Sequence, residues 1–155
     1  MIYSVSRVLS QSPAQLWAVL RDLRHYVHAD PFHSDLRFLT AQHEGRGTAF
    51  RMRHAYVPNF PFGPDEVTAT VTAWESERLQ TILEENPKAY RTHTQTFRLE
   101  ATDAGTRVTY DVHYMGIPLW LLPWRMWVRW SVRRRQEEKL RDIETQAQEL
   151  SRQRK

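Results

Sequence analysis

The sequence predicts an α+β fold: a curved seven-stranded antiparallel sheet around a long C-terminal α-helix, with one or two short helices after the first strand. Three observations carry this. From about residue 35, apolar residues recur at every second position through six segments separated by turn residues, the period of half-buried strands. One strand-like segment, IYSVSRVL at 2–9, stands alone before a helical stretch. After Pro123 neither proline nor glycine occurs up to Lys155, so one long helix is free to form. A curved sheet that grips this helix buries both apolar faces at once.

In chain order, Ser12-Pro13 reads as an N-cap followed by proline at the first helical position. The helix PAQLWAVLRDL then places Leu16, Trp17, Leu20 and Leu23 on one face. A second short helix around 24–28 ends near Asp30-Pro31. Strands follow at 35–42, 48–57, 66–75, 78–84, 90–100 and 106–114. The connections HEGRG, ESE and TDAG suit hairpins, whereas PNFPFGP at 58–64 is a long proline-rich loop. The last helix, about 119–150, carries Trp124, Val128, Val132, Leu140, Ile143, Ala147 and Leu150 on one stripe.

With 155 residues, 41% hydrophobic and 26% charged, residues 1–155 are expected to form a single domain. The absence of cysteine excludes disulfides, thiol catalysis and cysteine-based zinc sites. The N-terminus lacks a signal-peptide pattern, and the apolar run 116–124 is shorter than the ~18–20 residues that span a bilayer. A cytoplasmic protein is expected, with peripheral membrane contact as an option. The net charge of +4 is local: residues 1–118 carry twelve Lys/Arg against thirteen Asp/Glu, and 119–135 carry five Arg and no acid. So localised a patch argues against nucleic acid as a partner.

Four stretches carry a family resemblance: SPAQLWAVLRDLRHY after the first strand, EGRGTAFRM at the second hairpin, AWESERLQTI, and FRLEATDAGTRVTYDVHY before the last helix. Together they resemble the START-like (SRPBCC) superfamily with its helix-grip fold, and within it the bacterial polyketide cyclase/dehydrase type, over residues 2–148. The resemblance implies a cavity between sheet and C-terminal helix that takes a hydrophobic small molecule such as a lipid, quinone or polyketide. It leaves an aromatase/cyclase or dehydratase enzyme open as the alternative. It also implies a gate-like role for loop 58–64, with Phe60 and Phe62, and a latch position near Asn86-Pro87-Lys88. Neither residues nor resemblance call for a cofactor.

Strand alternation assigns the cavity face. The inward sets are Phe50, Met52, His54 and Tyr56; Val67, Ala69, Val71 and Ala73, with Trp74 outside; Leu79, Thr81 and Leu83; Arg91, His93, Gln95, Phe97 and Leu99; and Val108, Tyr110, Val112 and Tyr114. From these, Phe50, Met52, His54, Tyr56, Val71, Leu83, Arg91, His93, Gln95, Phe97, Tyr110, Val112 and Tyr114 are the ligand-binding candidates, with Trp124 and Val128 of the helix. His54, His93 and Tyr110 are the catalytic candidates, because enolisation and dehydration need a base and an acid near a carbonyl. His25, His28 and His33, with Asp30 and Asp35, match no standard metal spacing and read as surface-loop residues, so no metal is expected.

The stretch GIPLWLLPWRMWVRWSVRRR has apolar residues almost all round its first turns. Trp124 and Val128 belong to the core stripe. Met126, Trp127 and Trp130 need another cover, and Arg125, Arg129 and Arg133 form a row beside them. A membrane surface or a protein partner at this patch is therefore a second candidate contact.

Overall fold

A computed structural model of the chain describes residues 2–28, 30, 33–54, 65–86, 92–115 and 125–153, with the backbone alone at Asp65, Arg125 and Val128. In chain order the elements are β1 (Ile2–Leu9), α1 (Pro13–Leu20), α2 (Leu23–His28), β2 (His33–Phe38), β3 (Ala49–His54), β4 (Asp65–Glu75), β5 (Leu79–Glu85), β6 (His93–Thr102), β7 (Gly105–Tyr114) and α3 (Arg125–Gln153). The strands form one seven-stranded sheet in the order β1-β7-β6-β5-β4-β3-β2, and every adjacent pair is antiparallel. The edges β1 and β2 are neighbours in sequence, so α1 and α2 must bridge the two ends of the curved sheet. The long helix α3 packs against α1, β1 and β7.

The expected helix start is present in full. Ser12 Oγ accepts from the Gln15 backbone N–H at 3.3 Å, and Gln15 Oε1 accepts from the Ser12 backbone N–H at 2.9 Å. Gln15 Nε2 also donates to Ser151 Oγ at 2.9 Å, which ties α1 to the end of α3. Strand β2 begins at His33 and stops at Phe38, not Gln42. Its register against β3 shifts between Ser34 and Arg37, and Asp35 sits at φ 57°, so this edge is irregular.

Phe50 and Met52 on β3, Phe97 and Leu99 on β6, and Val108, Tyr110 and Val112 on β7 face the interior as alternation requires. Two faces differ from expectation. The β4–β5 register shifts between Val71 and Ala73, a bulge that reverses the alternation beyond it. Trp74 therefore turns inward and meets Trp17 edge-on with ring centroids 4.8 Å apart, while Ala73 takes the outer face. In β5 the inward residues are Gln80, Ile82 and Glu84, so Leu79, Thr81 and Leu83 lie on the outer face. Pairing fixes this outcome: Ile82 lies opposite Val71 and Gln95, and Glu84 lies opposite Ala69 and His93, all inward-facing.

On α3, Val132, Leu140, Ile143 and Ala147 are buried, and Leu150 packs partly against the core. Gln136 and Lys139 share that buried side. Gln136 Nε2 donates to the carbonyls of Tyr110 at 2.9 Å and Tyr3 at 3.1 Å, fastening the helix to β7 and β1. Met126, Trp127 and Trp130 are exposed at 80%, 47% and 59%. The Arg134 guanidinium lies 5.7 Å from the Trp130 ring centroid, while Arg133 donates to Glu137 at 3.1 Å. Among the described residues no helix is long and apolar enough to cross a membrane.

At the β6–β7 hairpin, Gly105 has φ 129°, and a Cβ there would lie 2.0 Å from the Leu9 carbonyl oxygen. Backbone against backbone cannot relax cheaply. Gly105→Ala is expected to cost about 2–3 kcal/mol of stability, read from urea unfolding.

Candidate functional site

The inward turn of β5 places a carboxylate inside the sheet. Glu84 is fully buried, and its polar neighbours come from four different elements. His54, at the end of β3, faces Glu84 Oε2 with Nδ1 at 2.9 Å. His93, the cross-strand partner of Glu84 on β6, brings Nε2 to 3.3 Å from the same oxygen. Gln95 Nε2 donates to Glu84 Oε1 at 2.5 Å, and the Tyr26 hydroxyl of α2 donates to it as well. His33, the cross-strand partner of His54, approaches Glu84 Oε1 with Nε2 at 3.8 Å.

A second buried acid, Asp30, lies between α2 and β2. Lys139 Nζ lies 3.7 Å from Asp30, Arg135 donates to it at 3.4 Å, and His33 Nδ1 is 3.6 Å away. Arg135 and Lys139 are one turn apart on α3, so the helix brings two cations to Asp30. The Lys139 ammonium also lies 3.8 Å from the Tyr26 ring centroid, a favourable cation–π position. The Tyr110 hydroxyl donates to Gln95 Oε1, and the Phe97 ring stacks on Tyr110 at 4.2 Å.

Burial by itself would raise the Glu84 carboxyl, but His93 and His54 outweigh it and hold the group well below the usual carboxylate range. Asp30 follows the same logic: burial is overcome by His33, Lys139 and Arg135. Burial pushes the His33 imidazole down to about 3, only partly offset by Asp30, so this ring is neutral. Burial likewise lowers Lys139, against the pull of Asp30. Tyr26 and Tyr110 are raised by burial and then by the nearby carboxylates, and Tyr114 is raised by burial to about 12. All three tyrosines keep their hydroxyl protons, and those of Tyr26 and Tyr110 are donated to Glu84 and Gln95.

Beside this cluster lies a cavity of about 20 Å³, bounded by His54, His93, Tyr110, Tyr114, Arg135 and Asp30, with Gln95, Gln136, Val112 and Val132 completing the wall. The wall is polar, where strand alternation implied a mostly apolar lining. Of the ligand candidates, His54, His93, Gln95, Tyr110, Val112 and Tyr114 meet at this cavity. Phe50, Met52, Val71 and Phe97 face inward but belong to the packed core. Leu83 is on the opposite face of the sheet. Tyr56, Phe60, Phe62, Arg91 and Trp124, loop 58–64 and the Pro87-Lys88 turn lie outside the described residues, as does the side chain of Val128.

Seven residues of the cluster are absent from the alternation-based set: Tyr26, Asp30, His33, Glu84, Arg135, Gln136 and Lys139. His33 and Asp30 are buried, not surface-loop residues as expected: His33 pairs with His54 of β3, and Asp30 is held by Arg135 and Lys139 of α3. His28 is exposed and His25 half-buried. One signal for α3 was available: Gln136 falls four residues after Val132 and four before Leu140, on the apolar stripe itself. Removing the central acid would orphan several buried donors at once. Glu84→Ala is expected to cost about 3–5 kcal/mol in urea unfolding, well beyond the effect of losing one hydrogen bond through Tyr26→Phe.

The profile of the family described as polyketide cyclase/dehydrase and lipid transport matches residues 2–148. Several solved structures share the fold. TTHA0849 from Thermus thermophilus is 16% identical, with TM-score 0.76 over 97% of this chain and 99% of its own. The di-domain ARO/CYC StfQ of the steffimycin biosynthetic pathway is 14% identical, with TM-score 0.75 over 97% of this chain and 51% of its own. Ginseng major latex-like protein 151 from Panax ginseng is 10% identical, with TM-score 0.71 over 95% of this chain and 97% of its own. No curated protein matches the sequence. The seven-stranded sheet, the gripping helix and the match over residues 2–148 together place this chain in the START-like polyketide cyclase/dehydrase and lipid transport family.

Proposed function

We propose that the protein binds a small molecule bearing carbonyl or phenolic oxygens on an apolar body, polyketide-like and not a simple lipid. The polar wall of the cavity carries this reading. Arg135, His54, His93, Tyr110 and Tyr114 converge on a space of about 20 Å³, room for one ligand oxygen. Val112 and Val132 are the aliphatic residues there, and the apolar body of the ligand would lie outside it. A hydrocarbon chain finds little apolar surface on such a wall, while carbonyl and phenolic oxygens suit its polar side chains. The family description covers polyketide cyclases as well as lipid transport, and the fold shared with the StfQ ARO/CYC is in keeping with the former.

A second reading, turnover of that ligand, is favoured by the 2.9 Å contact between His54 Nδ1 and Glu84. A carboxylate that accepts from Nδ1–H fixes the orientation and tautomer of the imidazole and leaves Nε2 as the acceptor, as a general base requires. His54 Nε2, near Arg135 at 3.4 Å, would take a proton from carbon next to a substrate carbonyl. A tyrosine hydroxyl of the wall would protonate the departing hydroxyl, which leaves as water.

Calorimetric titration with hydroxylated polycyclic aromatic ketones and with fatty acids of similar size separates these possibilities. The ketones are expected to bind, and Arg135→Met to weaken them at least about tenfold by removing a charge-assisted donor. Preferential fatty-acid binding, unchanged in Arg135→Met, would overturn the reading. For turnover, His54→Gln should still bind the ketone but release no dehydrated product by mass spectrometry. Undiminished product would exclude His54 as the base.

A further inference from the structure

We propose that His33, His54 and Glu84 form a binding site for a divalent transition-metal ion of the zinc type, set behind the wall of the cavity. One ligand atom from each residue lies within 4.8 Å of the others, and all three residues are buried. Two imidazole nitrogens and a carboxylate oxygen are the donor set such ions prefer. The three residues stand on β2, β3 and β5 of one sheet, so the backbone fixes their separation without help from a loop.

His33 is the observation that points to a ligand. Its side chain is buried, yet neither ring nitrogen has a hydrogen-bond partner among the described residues. A neutral imidazole sealed away from water in this way leaves a donor and an acceptor unsatisfied, which is costly. The ring is held between two carboxylates, with Nδ1 3.6 Å from Asp30 and Nε2 3.8 Å from Glu84. These distances are too long for hydrogen bonds. The Nε2–Glu84 separation is instead close to that of two ligands of one tetrahedral ion, roughly 3.3–3.6 Å for bonds of about 2.0–2.2 Å, and a small closing of the Nδ1–Asp30 gap makes a hydrogen bond. With Nε2 on the metal, Nδ1–H points to Asp30, the carboxylate–histidine–metal arrangement that fixes the tautomer of metal-bound histidines.

The other two ligands need modest change. His54 faces Glu84 through Nδ1, and metal there displaces the proton that now bridges them. The Nε2–H of His54 then turns to the cavity, and Arg135 keeps its bond to Asp30. His93 Nε2, 3.3 Å from Glu84 Oε2, stands beside the site. The fourth position is left to water or to a ligand atom from the cavity side.

Cobalt is a coloured substitute for zinc, so EDTA-treated full-length protein is titrated with Co²⁺ while visible absorption is followed. The expected result is stoichiometric uptake with ligand-field bands, reversed by Zn²⁺, and a higher Tm. His33→Gln should weaken Co²⁺ at least about tenfold, and His28→Gln, at an exposed histidine, should leave it unchanged. Should His33→Gln fail to fold, X-ray absorption of cobalt-loaded wild-type protein must still show two imidazole nitrogens and a carboxylate. Absence of the bands at tenfold excess metal, uptake equal in folded His33→Gln, or a coordination shell of oxygen alone would each overturn the proposal. None of these readouts involves the organic ligand, so the metal site and the ligand reading fail separately.

Discussion

A buried carboxylate is the constraint on which this interior depends. Glu84 sits on the inner face of the sheet, sealed from solvent beside the apolar core, and a charge there is tolerable only if its surroundings answer it. They do so from every side: His93 from the next strand, His54 from the end of β3, Gln95 from within the same face, and Tyr26 from the bridging helix. Asp30 doubles the demand, and α3 meets it with Arg135 and Lys139. The two acids and two bases balance formally, which lets so many polar groups lie under a folded sheet.

This network explains why the interior is both full and polar. Phe97 stacks on Tyr110, Tyr110 holds Gln95, and Gln95 holds Glu84, so the apolar core and the charged cluster are continuous. The helix is part of the same unit, since Gln136 binds the carbonyls of two strands while Val132 and Leu140 pack on either side of it. Chains of hydrogen bonds in a low-dielectric setting strengthen one another and fix side-chain orientation. The cavity beside them is therefore lined by side chains whose orientation the network already fixes.

Much of the fold was legible because its signals are local. Ser12-Pro13 with Gln15 specifies a capped helix from neighbouring residues alone, and Phe50-Met52, His93 to Leu99 and Val108 to Val112 keep strict alternation with no irregularity to disturb it. The site was legible only in part. His54, His93, Gln95 and Tyr110 share strands with clear apolar partners, and so their side of the sheet could be assigned. Glu84 could not be, since Leu79, Thr81 and Leu83 look like the inward set and only the register with β4 and β6 reverses them. Trp74 was hidden for a related reason: a bulge leaves no mark in composition.

The sequence by itself determined the order of elements, the antiparallel sheet, the gripping helix and the family, because period, caps and turns act over a few residues. Tertiary structure alone decided that Asp30 and His33 go inside, that β5 turns its acid inward, and that Arg135 and Lys139 arrive opposite them. Those choices depend on register and on charge compensation between residues 30, 84 and 139, which lie far apart in the chain and meet only when the sheet has closed on its helix.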